Sequence, residues 1–200
     1  MGGWDFDSSS GKNVEFTKFP EGITKIRIVD DAPHIRWTHW LNQQKRSVNC
    51  PGKGCPICEV RKSQKAKKEP YTYNMGRRFS MQVLNRNTGK LELMEQGINF
   101  FEDLKDLRET LEDKDLTFLD VDIAVKRRGT GKDGTSYRLD IDEKYPLSEE
   151  DKKLISEKLD LNNYFKPHDP DKILRVLNGE EWKDVMYEST DDEGEEFEVE

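Results

Sequence analysis

The sequence predicts a mainly β chain of the α+β class, with antiparallel strands first and helices added behind them. Three observations predict it. Short stretches such as GITKIRIVD and RRFSMQVLNR alternate apolar and polar residues, the period-two signature of half-buried strands. One stretch, NFFEDLKDLRETLED, repeats its apolar residues at helical spacing between strand pairs. Charged residues make up 37% of the chain against 33% hydrophobic, so the core is modest and the surface highly charged.

The elements follow in order. Residues 1–20 show no periodicity and read as a flexible N-terminal arm. GITKIRIVD (22–30) sets Thr24, Ile26 and Ile28 on one face of a strand. HIRWTHWLN (34–42) is a second strand after the turn-like DDAP. CEVRKSQKAKKEP is a short basic helix stopped by Pro70. RRFSMQVLNR (77–86) and KLELME form a hairpin about the turn NTG. The helix behind it is expected to be capped by Asn99, with Glu102 completing a capping box and Phe100, Leu104, Leu107 and Leu111 as its core stripe. TFLDVDIAVKRRG and TSYRLDID are two more strands about a glycine-rich tip. Ser148 with Asp151 starts one late helix; Asp169, Pro170 and Gly179 bound another. Five or more antiparallel strands with a helix before the last hairpin suit an OB-fold, a five-stranded Greek-key barrel. The expected organisation is an N-terminal arm (1–20), a folded body (21–187) with an insertion around 39–70, and a disordered acidic C-terminal tail (188–200).

All three cysteines lie within CPGKGCPIC, residues 50–58. An odd number cannot be used up by internal disulfides, and the acidic, polar start of the chain carries no secretory signal. The thiols are therefore expected to stay reduced inside a cell. Phe6 stands where a myristoylation signal needs Ser or Thr. Cys50, Cys55 and Cys58 are spaced for one tetrahedral metal that wants a fourth ligand. His39 is the nearest candidate, giving His-x10-Cys-x4-Cys-x2-Cys; His34 is the alternative, and His168 lies far downstream. Four protein ligands leave no open position, so one structural zinc is expected. The zinc-deaminase pattern is absent, since no His-x-Glu occurs and Gly54 precedes Cys55.

Charge is unevenly spread. The chain holds 41 acids and 33 bases, but eight of the acids fall in the last thirteen residues, ESTDDEGEEFEVE, leaving 33 of each in residues 1–187. Residues 43–90 hold twelve bases and two acids. A strongly basic segment in a neutral body points to nucleic acid. Single strands need cations for phosphates and flat rings for unstacked bases. The candidates are Trp40, Lys45, Arg46, Lys62, Lys65, Lys68, Tyr71, Tyr73, Arg77, Arg78 and Phe79, with Lys126, Arg127, Arg128, Lys132, Tyr137 and Arg138 from the late hairpin. Trp37, on the face of His39, reads as core at least as readily as a stacking ring. In the tail, Phe197 and Val199 are apolar residues set among acids, which suits a partner-binding tail better than a purely solvating one.

Other motifs fail on context. GTGKDG (129–134) matches G-x-G-x-x-G, but a strand follows where a dinucleotide site needs a helix. No Ser/His/Asp set or paired acid cluster stands out, so no enzyme is expected.

RWTHWL and CPGKGCPIC, the basic aromatic middle, the strand-rich body and the acidic terminus together resemble the zinc-containing single-stranded DNA-binding proteins of tailed phages and prophages, replication proteins of the helix-destabilising type. The match spans roughly residues 22–145 by motif order, and the tail by composition. The resemblance implies an OB-fold with a zinc subdomain inserted, ligated here by His39, Cys50, Cys55 and Cys58. It implies a basic aromatic cleft for single-stranded DNA, and a tail that contacts replication or recombination proteins and shields the cleft until DNA displaces it. The setting implied is the cytoplasm of an infected or lysogenic bacterial cell, with roles in replication, recombination and repair and neither a membrane nor a small-molecule substrate. The best-studied members bind cooperatively through a basic N-terminal arm, whereas residues 1–11 here contain no Lys or Arg.

Overall fold

Antiparallel pairing dominates the computed structural model, which describes residues 14–188. The strands are β1 (Gly22–Ile28), β2 (His34–Leu41), β3 (Arg46–Asn49), β4 (Asn74–Asn85), β5 (Lys90–Gln96), β6 (Val121–Arg128) and β7 (Ser136–Lys144). The helices are α1 (Pro56–Lys67), α2 (Ile98–Glu112), α3 (Gly131–Gly134), α4 (Glu149–Ser156), α5 (Leu161–Tyr164), α6 (Pro170–Leu177) and α7 (Trp182–Met186). The fold is α+β. Its seven-stranded sheet runs β3-β2-β4-β1-β6-β7, with β5 on β4, and does not close. No helix among the described residues is long and apolar enough to cross a membrane.

The chain divides into two compact units. The first holds the residues up to Arg36 together with Arg77–Phe165. In it, β1 pairs antiparallel with both β4 (Ile26↔Asn85, Ile28↔Val83) and β6 (Gly22↔Arg127, Ile26↔Ile123). β4 also pairs with β5, and β6 with β7. Thr24, Ile26 and Ile28 are buried on one face of β1 as the alternation predicts. Ile26 and Ile28 meet Met81, Val83, Met94, Ile123 and Val125 from the neighbouring strands. Helix α2 closes this core with Phe100, Phe101, Leu104 and Leu111.

Arg27 on the opposite face of β1 is fully buried. Its Nε donates to Asp122 at 2.6 Å and its Nη1 to the carbonyls of Leu119 and Tyr145. Asp122 also accepts from Arg86 Nε, and Arg86 Nη1 reaches Asp151 at 2.6 Å. Strand alternation alone assigns Arg27 to solvent. The structure buries it because a carboxylate and two carbonyls replace the water it loses.

The second unit holds Trp37–Gly76 and the chain from Lys166 onward. Hairpin β2–β3 and helix α1 share a small core with α6 and α7: Leu41, Val48, Cys55, Ile57, Ile173, Val176 and Val185. That the last helices complete this unit is not visible in any local pattern.

Several boundaries differ from the expected ones. Helix α2 begins at Ile98, so Asn99 lies inside its first turn and makes no cap; Gly97 holds the N-cap position without a side-chain bond. Helix α1 ends at Lys67, and its C-cap Lys68, at a left-handed φ of 57°, returns its N–H to the Gln64 and Lys65 carbonyls before Pro70 is reached. Strand β3, only four residues long, was not expected. The glycine-rich tip contains the single turn α3. Gly129, at φ 76°, has its would-be Cβ 1.9 Å from the Gly134 carbonyl oxygen, so that tip requires glycine. Ser148 and Asp151 form the reciprocal capping box, and Asp169 caps α6 with Pro170 at its start.

Candidate metal centre and nucleic-acid interface

The candidate metal ligands are set by a hairpin, a tight loop and a helix start. Strand β2 pairs with β3 in the register His39↔Val48, which turns both side chains into the core. Strand β3 ends one residue before Cys50, whose N–H donates to the Trp37 carbonyl at 2.8 Å. The chain then turns through Gly52 and Gly54, at φ 76° and 78°, values that glycine adopts without strain. The Gly52 N–H donates to Cys50 Sγ at 3.3 Å, and the Gly52 carbonyl accepts from Cys55 N–H. Cys55 is the N-cap of α1, with Pro56 at the first helical position and Cys58 in the first turn.

His39, Cys50, Cys55 and Cys58 bring their donor atoms within 4.8 Å of one another. Cys50 Sγ and Cys58 Sγ are 3.6 Å apart; His39 Nε2 lies 3.5 Å from Cys55 Sγ and 3.4 Å from Cys58 Sγ. A tetrahedron with zinc–sulfur bonds of about 2.3 Å and a zinc–nitrogen bond of about 2.05 Å has S···S edges of about 3.8 Å and S···N edges of about 3.6 Å. The cluster fits a metal ion of that size. His34, the alternative ligand, belongs to the other unit, where its ring stacks on Phe165 at 5.4 Å.

The electrostatics suit a cation. Burial, with Arg61 nearby, lowers the pKa of His39, which favours the neutral imidazole that a metal requires. Burial raises Cys50, and burial plus the neighbouring thiols pushes Cys58 up to about 12. Cys50 and Cys58 thus resist ionising by themselves, whereas a bound divalent cation holds ligating thiols deprotonated. Three thiolates and one imidazole around one ion would close a tetrahedral coordination sphere, an arrangement that shapes a loop and leaves no position for a substrate.

The basic and aromatic candidates fall on both units. In the second unit, which holds the His39–cysteine cluster, Lys62, Lys65 and Lys68 are exposed on and just beyond α1. Tyr71 is 48% exposed, and the Arg61 guanidinium lies 4.0 Å from its ring centroid. Arg61 also donates to the Tyr73 carbonyl. Tyr73 itself is half-buried against the small core. Lys45 sits exposed in the β2–β3 turn at φ 51°; Arg46 lies over the Trp182 ring, and Trp40 is half-buried. Trp37, on the face of His39, is 47% exposed. That face of β2 turns from solvent to core between Trp37 and His39, which alternation cannot register.

In the other unit, Arg77 and Arg78 are exposed. Phe79 requires a correction: it is 4% exposed, stacked on Phe101 at 5.4 Å within the main core, and presents no face to a base. Tyr137 is half-buried edge-on against Phe19 and Phe100, and Arg127 donates to the Phe19 carbonyl. Lys126 lies opposite Arg138 across β6 and β7, and opposite Ile23 on β1. Directly facing cations repel. Asp140, 2.9 Å from Arg138, offsets part of that charge. Arg128 is exposed two residues along the same face. The Lys132 side chain, Phe197 and Val199 lie outside the described residues.

Sequence reading missed two contributors. Arg61, one of the bases that follow the cysteines in sequence, was not singled out as the partner of the exposed Tyr71 ring. His168, set aside as a ligand for its distance along the chain, accepts at Nδ1 from the Asn49 N–H at 2.9 Å, one residue before Cys50. No protein-family model matches the chain, and a search of curated proteins finds no match.

Proposed function

We propose that this protein is a non-enzymatic, sequence-tolerant single-stranded DNA-binding protein, stabilised by one structural zinc ion at His39, Cys50, Cys55 and Cys58. The observation that carries the reading is the connectivity of the first unit. Strand β1 pairs with both β4 and β6, β5 returns on β4, α2 intervenes, and β6 pairs with β7. The five-stranded OB barrel, a partly open fold that binds oligonucleotides on one strand face and its loops, uses the same pairings, which supports the reading although the sheet here does not close. Here the β1–β6–β7 face carries Ile23, 55% exposed, in one cross-strand row with Lys126 and Arg138.

Phosphates are neutralised by Lys126, Arg128, Arg138, Arg77 and Arg78 on this unit, and by Lys45, Lys62, Lys65 and Lys68 on the other. Tyr71, backed by Arg61, receives a base. The protein coats strands exposed during phage replication, recombination and repair in the bacterial cytoplasm. Its acidic terminus, with Phe197 and Val199, recruits replication partners.

The test is fluorescence titration of the purified protein with poly-dT at several salt concentrations, beside duplex DNA and RNA. Log affinity falls with log salt at a slope of about −0.7 per phosphate contact. Equal binding to duplex, or none to any strand, refutes the assignment. A preference for RNA would instead favour an RNA-binding or transcription-related zinc module. Magnesium-dependent cleavage of the single strand would favour a nuclease.

A further inference from the structure

The chain from Lys166 onward joins the ligand-bearing hairpin in one unit, although over a hundred residues separate them in sequence. The joint is specific. His168 N–H donates to the Asn49 carbonyl at 3.1 Å, Asn49 N–H donates to His168 Nδ1 at 2.9 Å, and Asn49 Nδ2 donates to the Lys166 carbonyl at 3.2 Å. These three bonds clamp the residue directly before Cys50. Beyond them, Ile173 and Val176 of α6 and Val185 of α7 are fully buried against Leu41, Val48, Ile57 and the ligand Cys55. Arg175 then holds Glu180 at 2.7 Å and Glu188 at 2.5 Å. Glu188 is the last described residue and the first of the acidic run.

We infer that the metal site is a latch for the C-terminal arm: an occupied site holds residues 166–188 docked, and an emptied site releases them together with the root of the acidic terminus. The shared core has seven buried members with six partly buried side chains packed on it, and a core that small supplies little stability by itself, which small units supplement with a structural metal. Metal binding supplies folding free energy to sites of this kind. Because the arm packs on a ligand and on the residue preceding another, the coupling runs both ways. The inference rests on the metal part of the proposed reading and is independent of its nucleic-acid part, so either can fail alone.

The experiment is hydrogen exchange by mass spectrometry on the full-length zinc-loaded chain, before and after stripping with a chelator. Exchange in 170–186 accelerates tenfold or more, while 98–112 in the other unit changes less than twofold. An unchanged 170–186 overturns the latch. Equal acceleration in 98–112 also overturns it, because the whole chain then opens. In the reverse direction, His168→Ala and Ile173→Asp each weaken zinc binding at least tenfold in competition with a chromophoric chelator. Arg175→Ala, which cuts only the Glu180 and Glu188 pairs, leaves zinc binding within twofold. Unchanged zinc affinity in both His168→Ala and Ile173→Asp refutes the coupling.

Discussion

Asp122→Asn removes the one negative charge shared by two guanidinium groups, and the structure sets what that costs. Arg27 has no side-chain exposure and Asp122 has 7%. With the carboxylate neutralised, Arg27 keeps the Leu119 and Tyr145 carbonyls at 2.7 and 3.0 Å. Its Nη2, buried and without a hydrogen-bond partner among the described residues, gains nothing. Breaking a buried pair by removing one partner costs about 3–5 kcal/mol. Asparagine keeps one acceptor oxygen toward Arg27, which places this change near the lower end of that range. Arg86 adds little: its side chain is 25% exposed and retains Asp151 at 2.6 Å, so its lost pair is worth at most about 1 kcal/mol. The expected loss is about 3–4 kcal/mol. At about 2–4 °C per kcal/mol for a chain of this length, the melting midpoint falls by about 6–16 °C. Urea unfolding followed by circular dichroism, on zinc-saturated protein, measures it. A loss below about 1 kcal/mol would refute the network as a stabilising element. The double variant Arg27→Met with Asp122→Leu should recover part of the loss, because apolar residues can replace a buried ion pair while the Leu119 and Tyr145 carbonyls lose their donor.

Phe79→Ala is expected to cost about 3–5 kcal/mol of stability, whereas Tyr71→Ala leaves the unfolding midpoint nearly unchanged and weakens poly-dT binding by about 1–3 kcal/mol; urea melts and titrations on both variants separate core from interface. His39→Ala loses bound zinc by elemental analysis while His34→Ala retains it, and equal zinc content in the two would remove His39 from the ligand set. The Asp151 carboxyl is raised by burial but lowered more by Arg86 and by the Ser148 amide, so its net pKa lies below the usual value. A depressed carboxylate stabilises the fold above its unfolded pKa of about 3.9 and loses that contribution as pH falls through the lower folded value. The stability gap between the native chain and Asp151→Asn should therefore be full at pH 5 and above and shrink below pH 4; a gap independent of pH would contradict this.

The local signals in the chain were strong enough to stand alone. Alternation in GITKIRIVD buries Ile26 and Ile28 wherever the strand packs, and Ser148, Asp151, Asp169 and Pro170 act on their own helix starts, so both sets were readable from sequence. The cysteine spacing was equally local, because Cys50, Cys55 and Cys58 share one loop and one helix turn. Choosing between His39 and His34 needed the fold. Both stand on β2, and only pairing with β3 in the register His39↔Val48 carries one of them to the thiols. Phe79 and Tyr71 are aromatic rings beside arginines in one basic stretch, and no local pattern distinguishes them. Helix α2 covers the first with Phe101, while Tyr71 keeps an exposed face. Arg27, the clamp between His168 and Asn49, and the helices that complete the second unit all depend on partners 90 or more residues away. Sequence determines what each segment can do with its neighbours along the chain. Burial and charge compensation belong to whatever the fold brings against it, and those were decided only in three dimensions.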